Sequence, residues 1–200
     1  MIKLLTKIPR KIYVACSGGV DSMAALSFLA NNHEVTLAFF DHGTETSAAA
    51  LEFLSDYSKN RHIHMVAGRM TAAKPRGVSP EEHWREHRYL WLEDLPGMVV
   101  TAHHLGDAVE TWVWSSLHGH SRLPRIQRGN IMRPFLATPK HTLINFCQRN
   151  LIPWVEDASN ADMRFTRNYI RHEMMPHVLK VNPGIGKMVK KRLLSEAEEL

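Results

Sequence analysis

The hexapeptide Ser17-Gly18-Gly19-Val20-Asp21-Ser22 ends an apolar, β-branched run and opens an apolar-rich stretch of helical length. Two adjacent glycines let successive backbone N–H groups point into one concavity, and a helix starting there adds the positive end of its dipole. Ser17 and Ser22 offer hydroxyl donors to phosphate oxygens. Asp21 would be repelled by bare phosphate and makes sense beside a bridging Mg²⁺. The loop lacks the lysine of the Walker motif and the third glycine of the dinucleotide fingerprint. The bland alternative is a tight turn capped by Ser17 or Asp21.

Other residues have chemically suggestive spacing. Asp107 and Glu110, three apart at a helix start, share a face; as first-turn acids they would also simply suit the helix dipole. Arg85 and Arg88 are three apart on a helix that Ser79-Pro80-Glu81-Glu82 opens with a cap, a proline and two acids. Surface salt bridging with Glu81, Glu82 and Glu86 is their alternative to phosphate binding. Arg167 and Arg171, at i and i+4, suit the gripping of phosphates. Before them come Glu156, Asp157, Ser159, Asn160, Asp162 and Arg164, of which Asn160 and Asp162 read as turn and cap. His42 either lines a nucleoside pocket or packs. Trp112 and Trp114, two apart, cannot share a helical face, so at least one belongs to the core.

These residues need positioning elements. Runs at 11–16, 35–40, 62–67 and 98–102, with a weaker one at 131–135, read as strands. Segments 21–31, 47–60, 79–92, 107–118, 139–150, 166–178 and 183–199 read as helices, and 69–78 as a mobile loop. Strand–helix alternation predicts an α/β fold with a parallel sheet covered on both faces. Such sheets bind ligands outside the carboxyl ends of their strands. The glycine loop, Asp41-His42-Gly43 and the 103–111 stretch all fall there.

Two hundred residues suffice for one core, and 44% hydrophobic with 22% charged residues suits a soluble globular protein. No run is long enough to span a membrane, and no signal-type segment opens the chain. Cys16 and Cys147 form no CxxC and read as reduced thiols, which predicts a cytoplasmic protein. The thirteen histidines include no HExxH or zinc-spaced set, so they read as packing and surface residues. The net charge of +5 is uneven: residues 121–192 hold 14 basic against 4 acidic groups. That half suits a polyanionic partner, or is a solvated basic face.

SGGVDS resembles the signature of the PP-loop ATP pyrophosphatases. The stretches EEHWREHRY (81–89), TAHHLGDAVET (101–111), RPFL (133–136), WVEDASNADMRFTRNYIR (154–171) and VNPGI (181–185) follow in the order and spacing of tRNA(Ile)-lysidine synthetases. The resemblance implies a Rossmann-like PP-loop fold, of the adenine nucleotide alpha hydrolase type. Residues 1–135 would be the nucleotide-binding core and 136–200 a helical basic extension, without the tRNA-binding C-terminal domains of full-length relatives. It implies a ligase joining L-lysine to the wobble cytidine of tRNA(Ile), with ATP as substrate, Mg²⁺ as cofactor and an oligomer as one way to hold the tRNA. Ser17, Gly18, Gly19, Val20, Asp21, Ser22 and His42 would bind ATP, with Asp21 on the metal. Asp107 and Glu110 match the second aspartate and the glutamate of HxxDDQxET and would hold lysine, either accepting the amine's proton. Arg85, Arg88, Arg167 and Arg171 would complete the catalytic set. Gly106 and Ala108 replace an aspartate and a glutamine of that motif, and His118-Gly119 an Arg-Gly. These departures keep two alternatives open: a PP-loop enzyme with another substrate, or a non-catalytic tRNA- or nucleotide-binding protein.

Overall fold

Alternating burial along the first strand shows how the sheet is built. In β1 (Lys11–Ala15), Ile12 and Val14 enter one apolar cluster while Tyr13 and Ala15 face another. Both sheet faces are therefore covered, as the strand–helix alternation predicts. The computed structural model describes residues 1–156 and 166–199. The other strands are β2 (Glu34–Asp41), β3 (His64–Arg69), β4 (Val99–Thr101), β5 (Gln127–Arg128) and β6 (Ile131–Met132). They form one sheet in the order β3-β2-β1-β4-β6-β5. Neighbours are parallel except the β5–β6 pair.

The helices are α1 (Val20–Ala30), α2 (Glu45–Asn60), α3 (Pro80–Glu93), α4 (Leu105–Leu117), α5 (Lys140–Arg149), α6 (Thr166–Tyr169), α7 (Met175–Val181) and α8 (Ile185–Glu198). Met23 and Leu26 of α1, Leu54 of α2 and Leu143 of α5 pack with Val14 and Leu37 in the largest cluster. Tyr89 and Leu92 of α3 cover the opposite face with Ala38, Val99 and Ile131. A third cluster joins Val109 and Val113 of α4 to Val189 and Leu193 of α8. Burying each such aliphatic side chain contributes about 1.5–3 kcal/mol. Among the described residues no helix is long and apolar enough to cross a membrane.

Local chemistry sets the ends. Ser79 accepts a hydrogen bond from the Glu82 backbone N–H at 3.1 Å, the cap its sequence announces. Thr44 and Ser47 form a reciprocal capping box that starts α2 two residues before the predicted 47. The predicted helix 166–178 is broken: α6 passes into a π-helical turn, Ile170–Met174, before α7. Pro176 explains this, because it has no N–H to donate and its ring crowds the preceding turn. The predicted strand 131–135 is only the two-residue β6, paired to an unpredicted β5 through a Gly129-Asn130 hairpin with Gly129 at φ +56.

Distant segments are tied by hydrogen bonds to the backbone. The Lys3 N–H donates to Thr138 Oγ1 at 3.1 Å, and that hydroxyl donates to the Lys3 carbonyl at 2.8 Å. Leu5 N–H reaches the Pro134 carbonyl, and Val155 N–H the Gly18 carbonyl, each at 2.9 Å.

Candidate active site

Strands β1 and β4 lie side by side, while β1 leads onward to β2 on its other side. This is a point where strand order reverses, and the loops leaving β1 and β4 flank one crevice. The β1 loop is Ser17–Asp21. Gly18 sits at φ +85, and a Cβ there would come within 2.8 Å of Val155 Cγ2. Glycine is required on both counts.

The helix α1 is capped at Gly19 with no side-chain bond, so neither Ser17 nor Asp21 serves as a cap. Ser22 instead shapes the loop from inside. Its hydroxyl donates to the Gly19 carbonyl at 2.8 Å and accepts from the Ser17 N–H at 3.2 Å. The hydroxyl expected to donate to phosphate is thus committed to the backbone, and the Ser17 hydroxyl lies 3.4 Å from it. Asp21 Oδ1 is buried and has no hydrogen-bond partner among the described residues. Burial raises the Asp21 pKa, opposed by His104 and Lys140. An orphaned carboxylate oxygen beside a phosphate-type loop fits a divalent cation. No cluster of three or more metal-ligating side chains occurs among the described residues, so such an ion would share Asp21 with phosphate oxygens, the usual habit of Mg²⁺.

The β4 loop delivers His103 and His104, and α4 delivers Asp107 and Glu110. His104 is 2% exposed. Its Nδ1 accepts the Asp107 N–H at 3.3 Å, which leaves Nε2 as the protonated nitrogen, 3.7 Å from Asp21 Oδ2. Asp107 Oδ2 accepts the His104 N–H at 2.8 Å, closing a capping box. One buried imidazole thus bridges the glycine loop to the acidic helix. A Cβ on Gly106 would lie 2.8 Å from this ring, so the glycine at that position makes room for it.

Arg167 and Arg171 reach the same carboxylates. Arg167 Nη2 lies 2.7 Å from Asp107 Oδ1. Arg171 Nε and Nη2 hold the two Glu110 oxygens at 2.7 and 3.0 Å, and Nη2 also meets Asp107 Oδ1 at 3.0 Å. Burial alone would raise the Asp107 pKa, but His104, Arg167, His103 and the His104 backbone N–H hold it well below the usual carboxylate range. Asp107 is therefore a poor proton acceptor in this arrangement. The residues expected to grip phosphates and those expected to grip an amine are paired with each other.

Arg85 and Arg88 do not pair with Glu81, Glu82 or Glu86 among the described residues. Their guanidinium groups lie 5.0 and 5.6 Å from the Tyr89 ring centroid, with that of Arg133 at 5.7 Å. Burial lowers the pKa of Arg88, and Arg85 and Arg167 add repulsion; a positive patch results. His42 rests between the Phe40 and Trp84 rings, at 5.2 and 5.7 Å. Asp41 beside it shapes its own turn, accepting the Gly43 N–H at 2.8 Å. The cysteines Cys16 and Cys147 are free and buried.

Sequence reasoning missed His104, Lys140 (Nζ 3.8 Å from Asp21 Oδ2) and Arg133. Only their membership in the TAHH and RPFL stretches could have flagged the first and last. Asp157, Ser159, Asn160, Asp162 and Arg164 lie outside the described residues.

A PP-loop domain model matches residues 2–178. The chain belongs to the PP-loop family. This PP-loop protein is 32% identical over 193 residues to a tRNA(Ile)-lysidine synthase of Thermosipho africanus, covering 86% of this chain and 45% of the relative. A Lactiplantibacillus plantarum protein of the same name is 32% identical over 199 residues, covering 89% and 44%. The chain thus spans under half the length of these curated relatives. Among solved structures it resembles the U34-tRNA thiolase NcsA from Methanococcus maripaludis, with a TM-score of 0.70, 12% identity, and coverage of 98% of this chain and 74% of that one. An NH3-dependent NAD synthetase from Campylobacter jejuni gives a TM-score of 0.53 at 13% identity, covering 96% and 87%. These two likenesses concern the fold.

Proposed function

We propose that this PP-loop protein is a carbon–nitrogen ligase that attaches lysine to the wobble cytidine of tRNA(Ile), consuming ATP. The observation that carries the reading is the buried His104 bridge, which sets a carboxylate pair next to a nucleotide-type loop. A nucleotide and a cationic amine can then meet within one crevice.

In the first step, O2 of the cytosine attacks the α-phosphorus; the O2–P bond forms, the bond to the β-phosphate oxygen breaks, and pyrophosphate leaves. The N–H groups of the Gly18-Gly19 loop, with Ser17, hold the departing end, and Arg85 and Arg88 offset its charge. Asp21 would hold Mg²⁺ with the phosphate oxygens, and that ion supplies neutralisation of phosphate charge. In the second step the ε-amine of lysine attacks C2, the C2–O bond breaks, and AMP leaves with the oxygen. Asp107 and Glu110 attract the ammonium, displacing Arg171 or Arg167 toward the phosphates. Asp107 is held strongly ionised, and the amine's proton passes to Glu110 as the C–N bond forms. His42 and its aromatic neighbours would flank the adenosine. The basic 136–200 extension would face the tRNA, and a cytoplasmic location and an oligomer go with that role.

The test follows AMP release from α-labelled ATP with a CAU-anticodon isoleucine tRNA, with and without lysine, and analyses the tRNA nucleosides by mass spectrometry. Lysine-dependent AMP release with lysidine in the digest is expected. AMP release without lysidine would transfer the reading to another nucleophile, a shift that Gly106 and Ala108 make chemically reasonable. ATP or tRNA binding with no turnover would replace catalysis by a binding role.

A further inference from the structure

The acidic face of α4 does not end at the carboxylates. Asp107, Glu110, Trp114 and His118 follow at i, i+3, i+7 and i+11 and fall on one side of the helix. Trp114 lies about 10 Å along the axis from Asp107, from a rise of 1.5 Å per residue. Its indole is 45% exposed, whereas Trp112, two residues earlier, packs into the cluster between α4 and α8. The His118 ring stacks against Trp114, with centroids 4.5 Å apart and planes at 35°. That ring is also anchored, its Nδ1 lying 2.8 Å from the Trp114 carbonyl. The exposed aromatic surface is therefore held in place.

The chain running through and beyond the end of α4 is basic in sequence, although Arg128 pairs with Glu93, Arg133 is buried against Tyr89 and Lys140 reaches Asp21. Residues 111–155 contain no Asp or Glu and six Lys or Arg. Arg122 is fixed beside the end of α4 by its backbone: its N–H donates to Ser115 Oγ at 2.8 Å, and that hydroxyl donates back to the Arg122 carbonyl at 3.1 Å. An anchored aromatic pair, flanked by arginine and continuous with a crevice for a splayed-out base, is the chemistry of single-stranded RNA binding.

We infer that Trp114 and His118 form a stacking platform for a nucleobase of the RNA strand whose neighbouring cytidine enters the crevice. This rests on the proposed tRNA substrate and adds to it a contact outside the reacting groups. Trp114 is a binding residue and touches no reacting atom.

The test measures anisotropy of a labelled, short single-stranded RNA with one central cytidine, against wild type, Trp114→Ala and Trp114→Phe, with circular dichroism on each. Losing one base–aromatic stack should weaken binding about tenfold in Trp114→Ala, while the phenylalanine variant keeps most of the affinity. The slope of affinity against salt should not change, because no phosphate contact is removed. Equal affinity in Trp114→Ala and wild type would overturn the platform. So would a dimer seen by sedimentation that Trp114→Ala dissolves, which would assign the surface to a second copy. A wild type that binds no RNA also overturns it; ATP titration of the same protein then reports separately on the nucleotide half of the proposed function.

Discussion

Replacing Arg171 with methionine removes three charge-assisted hydrogen bonds, two to Glu110 and one to Asp107. The side chains concerned are 25% exposed for Arg171 and 10% for Glu110. Removing one partner of a fully buried pair costs about 3–5 kcal/mol, because the other charge is left uncompensated. Arg167 stays 3.7 Å from Glu110 and supplies part of the compensation. Water reaches a side chain that is a quarter exposed, so about 2 kcal/mol is the expected loss. For a domain of this size that lowers Tm by about 4–8 °C. Urea unfolding of wild type, Arg171→Met, Glu110→Gln and the double variant isolates the pair, with an expected coupling of about 1–2 kcal/mol. High salt should leave most of that coupling in place, since screening acts least on partly buried pairs. A coupling below about 0.5 kcal/mol, within ordinary non-additivity, would refute the ion pair as a structural element.

Asp21→Asn should leave the protein folded while AMP release falls about 100-fold or more, the scale of losing one charge-stabilising group; an active variant would remove Asp21 from the chemistry. Gly18→Ala should cost about 2–4 kcal/mol in urea melts, from the left-handed backbone and the Val155 contact together, and should weaken ATP binding. His103 has its pKa lowered to about 3, first by burial and then by the nearby Arg167, Arg133 and Arg88, against the pull of Asp107. The unfolded chain takes up that proton near pH 6.5 and the folded one does not, so stability falls with pH between 6.5 and about 3. The loss is at most about 1.4 kcal/mol per pH unit, and His103→Gln should flatten that limb of the acid-unfolding curve.

The central sheet was legible because its strands are apolar, β-branched and separated by stretches of helical length. Ser79 and Pro80 announced α3 for the same reason they cap it. The β5–β6 hairpin was not legible: each strand has two residues, too few for any periodicity to register, and only Gly129-Asn130 marks the turn. The continuous helix from 166 failed at Pro176, whose effect reaches back into the preceding turn and puts Arg171 in a π-helical segment. Within the site, residue types at fixed spacing were readable, but their partners were not. Asp107 and Glu110 share a face by helical geometry alone, whereas meeting Arg167 and Arg171 depends on sixty residues of intervening chain. His104 and Lys140 act through position rather than pattern. Trp112 and Trp114 could be told apart only once α8 showed which side of α4 it covers.

The tie between Val155 and Gly18 has a consequence for the order in which the molecule can be made. The residue that bonds the glycine loop's carbonyl and packs against its backbone is made 137 positions after the loop itself. Thr138 likewise closes on Lys3 across 135 positions. Closing long loops is slow because chain entropy is lost before the contact compensates it. A nascent chain carrying β1 to β4 therefore holds its nucleotide loop without the Val155 buttress. Competence to bind ATP should therefore appear only after the 152–156 segment has been made and docks on the loop.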